Sequence, residues 1–211
     1  VNKWDRGKPK DFRELFAFYH DYVKLLYSAV QVENVLPNET LFELNATLDH
    51  ISRHWIYPED EEYIVGGAFR HLKRSCLDVF KIKVREARDQ YDKLGRIDTS
   101  VIDNGDFDRD LHILFSQIRA EATAARRLEG APDEDDSVPA FKLWEEVYEK
   151  CVRLEEDFFL YDRLNWAKRT AWIRAGRRNL WAVVINVIAS LIGAFLWGLY
   201  TGTLGQVLPG M

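Results

Sequence analysis

Two stretches of this 211-residue chain carry His, Arg and Asp at helical spacing: LFELNATLDHISRHW, residues 41–55, and FRHLKRSCLDVFKIK, residues 69–83. In the first, Asn45, Asp49 and Arg53 are successive i, i+4 neighbours, with His50 and His54 paired the same way beside them. In the second, His71, Arg74 and Asp78 share a face, and Arg70 and Lys81 lie nearby. A guanidinium offers a planar fork of donors that fits phosphate oxygens, and an imidazole adds a neutral or charged donor. His50, Arg53, Arg70, His71 and Arg74 are therefore the residues expected to bind a phosphate-bearing ligand. Ion pairs that only fix the register of a helical bundle would use the same residue types.

The usual marks of an enzyme do not occur. The chain has no metal-ligand spacing, no Gly-rich phosphate loop, no nucleophile elbow and no CxxC, so no cofactor, metal site or catalytic residue is expected. Cys76 and Cys151 each fall within a helical pattern, which fits a reduced, cytoplasmic chain without a disulfide framework. His20 and His112 stand apart from the cluster. Val1 at the start, with Met211 as the single methionine, fits a bacterial GUG start or a trimmed N-terminus.

The elements that must position the polar cluster read as helices. Phe12, Leu15, Phe16, Tyr19, Val23, Leu26 and Val30 form one apolar face that ends near Pro37. A second helix is expected from about Glu39 to Ile56, stopped by Pro58, and a third from about Asp60 to Leu94 with Gly95 as its C-cap. Gly66 and Gly67 inside the third mean that its first turn is separate or that something packs closely there. A turn-rich stretch at 96–106 precedes a fourth helix over Phe107 to Leu128. The acidic loop GAPDEDDSVP at 130–139 reads as a solvated connector. A fifth helix from Val138 has Phe141, Trp144, Val147, Cys151, Leu154 and Phe158 at helical spacing. It meets no Pro or Gly before Gly176, so it is expected to run almost directly into the apolar C-terminal segment.

That segment is LWAVVINVIASLIGAFLWGLY, residues 180–200, a run of 21 residues without a charged side chain. At about 1.5 Å per residue a helix of this length spans roughly 30 Å, the thickness of a bilayer's hydrocarbon core. Asp162 is the last acid; Arg163, Lys168, Arg169, Arg174, Arg177 and Arg178 come between it and the run, and the tail TGTLGQVLPGM has no charge. The positive-inside rule then predicts a single-pass chain with its N-terminus cytoplasmic, and a bacterial gene start would put it in an inner membrane. Arg169, Arg174, Arg177 and Arg178 are expected to contact anionic headgroups of the lipid bilayer. Removing those six cations leaves 23 Lys and Arg against all 34 acids, so residues 1–162 carry about −11 and do not suit bulk polyanion binding.

The expected organisation is a cytoplasmic helical bundle over 1–162, a basic juxtamembrane helix over 163–179, a transmembrane helix over 180–200 and an extracytoplasmic tail over 201–211. Ser190, Ala194 and Gly198 recur every four residues, and Asn186, Ser190, Gly193 and Trp197 occupy a neighbouring stripe. Small residues allow close helix approach, and an Asn in hydrocarbon needs a partner or water, so these positions are expected to form the interface of a homo-oligomer or to line a pore.

The element NATLDH, Asn45 to His50, resembles the Arg-x4-His element of the HEPN superfamily, with Asn45 where that family has Arg. The resemblance implies an all-α, HEPN-like bundle; in the family's nucleases the His and Arg act on the ribose 2′-hydroxyl and the scissile phosphate. A bundle of this kind on one membrane helix also resembles the membrane effectors of bacterial antiviral systems, among them the pore-forming accessory protein of RNA-targeting CRISPR loci and the membrane effector of the Hailong system. That likeness implies a homo-oligomeric antiphage channel answering to infection through a nucleotide or oligonucleotide signal or a partner defence protein. The alternatives are a membrane-anchored ribonuclease using His50, with Arg53 beside it, and a non-catalytic membrane scaffold.

Overall fold

The computed structural model describes residues 7–31, 37–57, 60–100, 102–129 and 138–200. These are helical, with no strand among the described residues. The order is α1 (Phe12–Phe18), a π-helical turn (Tyr19–Val23), α2 (Lys24–Val30), α3 (Asn38–Ile56), α4 (Glu61–Leu94), a 3-10 turn (Asp103–Gly105), α5 (Asp106–Glu129), α6 (Val138–Phe158) and α7 (Tyr161–Tyr200).

Local chemistry sets several of these boundaries. Asp11 caps α1 by accepting from Glu14 N at 2.8 Å, and the Glu14 carboxylate accepts in return from Lys10 N at 2.9 Å, which satisfies two otherwise orphaned donors. The π-helical turn accommodates Tyr22 and Val23 side by side in the core. Gly95 ends α4 in the right-handed region, at φ −58°, so its role is to stop the helix and not to supply a left-handed cap. Left-handed backbone is used instead at Asp103, Asn104 and Gly105 (φ 47°, 56° and 93°), residue types that tolerate it.

The 34-residue α4 is the spine, packed against α1, α2, α3, α5 and α6. Its core neighbours include the fully buried Phe18, Tyr22 and Trp144, and its own Phe80 lies edge-on to Phe141 at 5.6 Å. Polar pairs fix the register of this half of the bundle. Lys83 of α4 donates to Glu155 of α6 at 2.8 Å, Lys150 of α6 pairs with Glu121 of α5, and Lys81 pairs with Glu129 of α5 at 2.9 Å. Burial alone would depress the Lys83 ammonium, but its bonds to Glu155 and Glu86 outweigh that and hold it above the usual lysine range. Lys81 thus turns away from the Arg70 face and serves packing, with its ammonium also 5.8 Å from the Trp144 ring.

Helix α6 does not run straight into the anchor. It ends at Phe158, which packs edge-on to Phe107 at 5.1 Å, and Phe159 and Leu160 break the helix before α7 restarts. Beyond the break Leu164 and the fully buried Ala167 return to the core, and Arg163 reaches Asp103 at 3.4 Å. The first turns of α7 therefore belong to the bundle. The acidic connector is left outside the described residues except for Val138 and Pro139, as is the tail 201–211.

From Trp172 onward α7 leaves the bundle. The helix has 40 residues, about 60 Å of rise. Asp162–Tyr200 is long and apolar enough to cross a membrane, with mean hydropathy 2.2 over its most apolar window and none of that window buried. Leu180, Trp181, Ile185, Leu191, Phe195 and Trp197 are each more than half exposed.

Candidate functional site

Helices α3 and α4 make the most extensive pairing in the bundle, and the His residues expected to bind phosphate meet along their seam. His50 is half-buried on α3, and its ring lies against the backbone of α4 at Gly67, where a Cβ would fall 2.6 Å from both Cε1 and Nδ1. Close packing is thus the reason for that glycine. The His50 and His71 rings are 5.2 Å apart between centroids, and His71 Nδ1 lies 2.6 Å from Glu43 Oε2. His50 Nδ1 is buried and makes no hydrogen bond among the described residues, and the same is true of His54 Nδ1 one turn away. Burial, then the nearby His71 and Arg53, push the His50 imidazole below the usual histidine range; Asp49 opposes this and Arg70 adds to it. These surroundings favour the neutral imidazole at His50.

The other expected binding residues separate. Arg53 turns back along α3 to Asp49 at 2.8 Å, the i, i+4 pair evident in the sequence. Arg70 is exposed, with Nη1 3.9 Å from the position a Gly66 Cβ would take. Arg74 is exposed one turn further along α4. Asp78, assigned by spacing to the face of His71 and Arg74, has its carboxyl raised by burial and by Glu43, Glu39 and Glu129, against the opposing pull of Lys81. Asn45 is exposed, on the outer face of α3 with Leu41 and Leu48, so it does not accompany His50 into the seam.

Sequence spacing misses the N-terminal contribution. Lys8 reaches Gly66 with Cε and Nζ at 3.5 and 3.6 Å from the same would-be Cβ. Phe12 packs edge-on to His54 at 4.8 Å and stacks on Trp55 at 5.8 Å, while its backbone N–H donates to Glu61 Oε1 at 3.3 Å. No periodicity links residue 8 to residue 66; the one signal is the pair of glycines awaiting a close neighbour.

Two other features bear on chemistry. A groove of about 390 Å³ is lined by Tyr22, Leu26, Glu145, Tyr148, Glu149 and Arg153, with the Tyr22 hydroxyl donating to Glu145 at 2.6 Å. Both thiols are buried and pushed up by burial, Cys151 to about 12, so neither is a nucleophile at neutral pH.

On α7, Asn186 and Ser190 lie on an exposed groove with Val183, Val187 and Leu191. The Ser190 hydroxyl donates to the Asn186 backbone carbonyl at 2.8 Å, so Ser190 is satisfied within its own helix and the polar character of the groove rests on the Asn186 carboxamide. Ala194 and Gly198 continue the small-residue stripe from Ser190 toward the end of α7, Gly193 and Trp197 continue the neighbouring stripe from Asn186, and Arg169, Arg174, Arg177 and Arg178 are exposed on the segment between bundle and apolar run. No family model matches the chain, and neither a curated protein nor a solved structure matches it.

Proposed function

We propose that the chain is an oligomeric membrane channel or membrane-disrupting effector of bacterial antiphage defence. In this reading α7 crosses the inner membrane, copies meet along Ser190, Ala194 and Gly198, and the cytoplasmic bundle gates the assembly in response to a nucleotide, an oligonucleotide or a partner defence protein. The observation that carries the reading is the second half of α7: apolar, exposed along its length, and interrupted by one carboxamide at Asn186. An apolar helix with no protein cover needs lipid, and a polar group in lipid needs a partner copy or water. The basic segment from Arg163 to Arg178 supplies the cytoplasmic orientation and a contact for anionic headgroups.

The topology is tested by cysteine labelling from outside intact cells, in a background where Cys76 and Cys151 are replaced by serine. A cysteine placed at Thr203 should react and one placed at Asp133 should not. The reverse pattern removes the cytoplasmic bundle from the account.

For the α3–α4 seam, binding is favoured over RNA cleavage because Asn45, which stands where the resembled nucleases have Arg, is uncharged and exposed on the outer face of α3. Purified protein given single-stranded RNA should show no turnover that is lost in His50→Ala. Clear His50-dependent cleavage would make the membrane-anchored ribonuclease the correct reading, with Arg53 the next residue to replace.

A further inference from the structure

We propose that the α3–α4 seam is a proton-operated latch: a proton taken up by His50 at acidic pH drives its ring out of the notch over Gly67 and frees α3 from the spine. The latch belongs to the bundle alone and is readable whether or not α7 conducts ions.

Geometry makes the closed seam a poor host for an imidazolium. The His50 ring lies so near the α4 backbone that a Cβ on Gly67 would fall 2.6 Å from its Nδ1 and Cε1, and that Nδ1 is buried with no hydrogen-bond partner among the described residues. A neutral ring can leave Nδ1 as a bare lone pair and keep its proton on Nε2, whereas a charged ring carries an N–H on both nitrogens. The second N–H then points into the seam without an acceptor, and a buried donor or charge that lacks a partner is costly. One turn along α3, His54 also keeps a buried Nδ1 without a partner, its ring 4.8 Å from Phe12 and 5.1 Å from Trp55.

The charged groups around the seam act in the same direction. Burial, then His71 of α4 and Arg53 of α3, disfavour a positive His50; Asp49 of α3 opposes them and Arg70 of α4 adds to them. Lys8 lies over the neighbouring Gly66. The acids nearby are engaged: Asp49 by Arg53 at 2.8 Å, Glu43 by His71 at 2.6 Å, and Glu61 by the Phe12 N–H at 3.3 Å. A proton on His71 strengthens its pair with Glu43 and sets a second cation beside His50, whose ring centroid is 5.2 Å away. Once α3 lifts, His50 faces water and takes its proton at the ordinary histidine value of about 6.5. The closed seam holds it below that value, so this contribution to stability is fully present above about pH 6.5 and is lost as pH falls below it.

The test is amide hydrogen exchange of the full-length protein in detergent at pH 7.5 and 5.5, read by mass spectrometry and corrected for the intrinsic pH dependence of exchange. Peptides of α3 should lose about three- to tenfold in protection at pH 5.5, because one histidine that charges only in the open form contributes up to about tenfold per pH unit below 6.5. Peptides of α6, which contains no histidine, should not change. His50→Leu keeps an apolar side chain in the notch and should remove most of the loss. His71→Gln removes the second cation and should reduce it; this side chain is only partly buried, so the variant keeps the test available if His50→Leu does not fold. His112→Asn, on α5 beside Tyr91, should leave the loss as it is. Equal protection of α3 at the two pH values overturns the proposal, as does a loss that persists undiminished in His50→Leu and His71→Gln.

Discussion

Gly67→Ala and Gly66→Ala should move stability in opposite directions, although the positions are adjacent on one helix. A Cβ at Gly67 would sit 2.6 Å from the His50 ring, closer than atoms can pack, and the imidazole is wedged between α3 and α4 beside His71. Expelling it should cost about 1–3 kcal/mol, more than alanine's better helix propensity returns. At Gly66 the nearest atoms are the flexible end of Lys8 at 3.5 Å and Arg70 at 3.9 Å, ordinary contact distances, so Gly66→Ala should stabilise by about 0.5–1 kcal/mol. Thermal unfolding of the two single variants checks the signs. In a His50→Ala background the Gly67→Ala penalty should vanish, a coupling that appears only if the two groups touch. Equal destabilisation in both backgrounds would mean that His50 is not what Gly67 accommodates.

The second large effect lies in the membrane. Gly198→Leu or Ala194→Leu should weaken self-association by about tenfold or more, because close helix approach tolerates no added volume, whereas Leu191→Ala and Phe195→Ala should matter less. Asn186→Leu separates two roles for the carboxamide. If it lines a water-filled path, ion flux should change and the oligomer should persist; if it clamps neighbouring helices, the oligomer itself should loosen. Ser190 contributes little to this distinction, since its hydroxyl is already bonded to the Asn186 carbonyl. Analytical ultracentrifugation in detergent reads the association, and flux from loaded liposomes reads the path.

Much of the bundle is legible because proline and glycine punctuate it. The second and third helices, expected at 39–56 and 60–94, form at Asn38–Ile56 and Glu61–Leu94, with Pro37 before α3 and Gly95 after α4. The exposed apolar half of α7 is equally plain, since no other part of the chain runs so far without a charge. The break at Phe159 and Leu160 is not legible. No helix breaker stands there, and the chain turns because Phe158 on one side and Leu164 and Ala167 on the other all reach the core. The π-helical turn at Tyr19–Val23 is hidden for the same reason.

Within the site, helical spacing puts His50 and His71 on matching faces but cannot choose partners. The Asp49–Arg53 pair lies along one helix and is legible, but spacing groups Lys81 with Arg70, whereas Lys81 turns to Glu129 of α5. A side chain's nearest opposite charge depends on which helix lies across from it, which spacing along one helix does not contain. Lys8 and Phe12 enter the site through tertiary packing of the N-terminal segment, and Glu43 enters because α3 sets it opposite His71.

The central claim is that several copies of α7 together enclose a path through the bilayer. The most direct measurement is the mass of the full-length protein reconstituted in lipid nanodiscs, read by native mass spectrometry at several lipid compositions. The account predicts one discrete homo-oligomer that dissociates in Gly198→Leu. A monomer in every lipid would contradict it, because a single uncharged helix cannot surround a channel for ions.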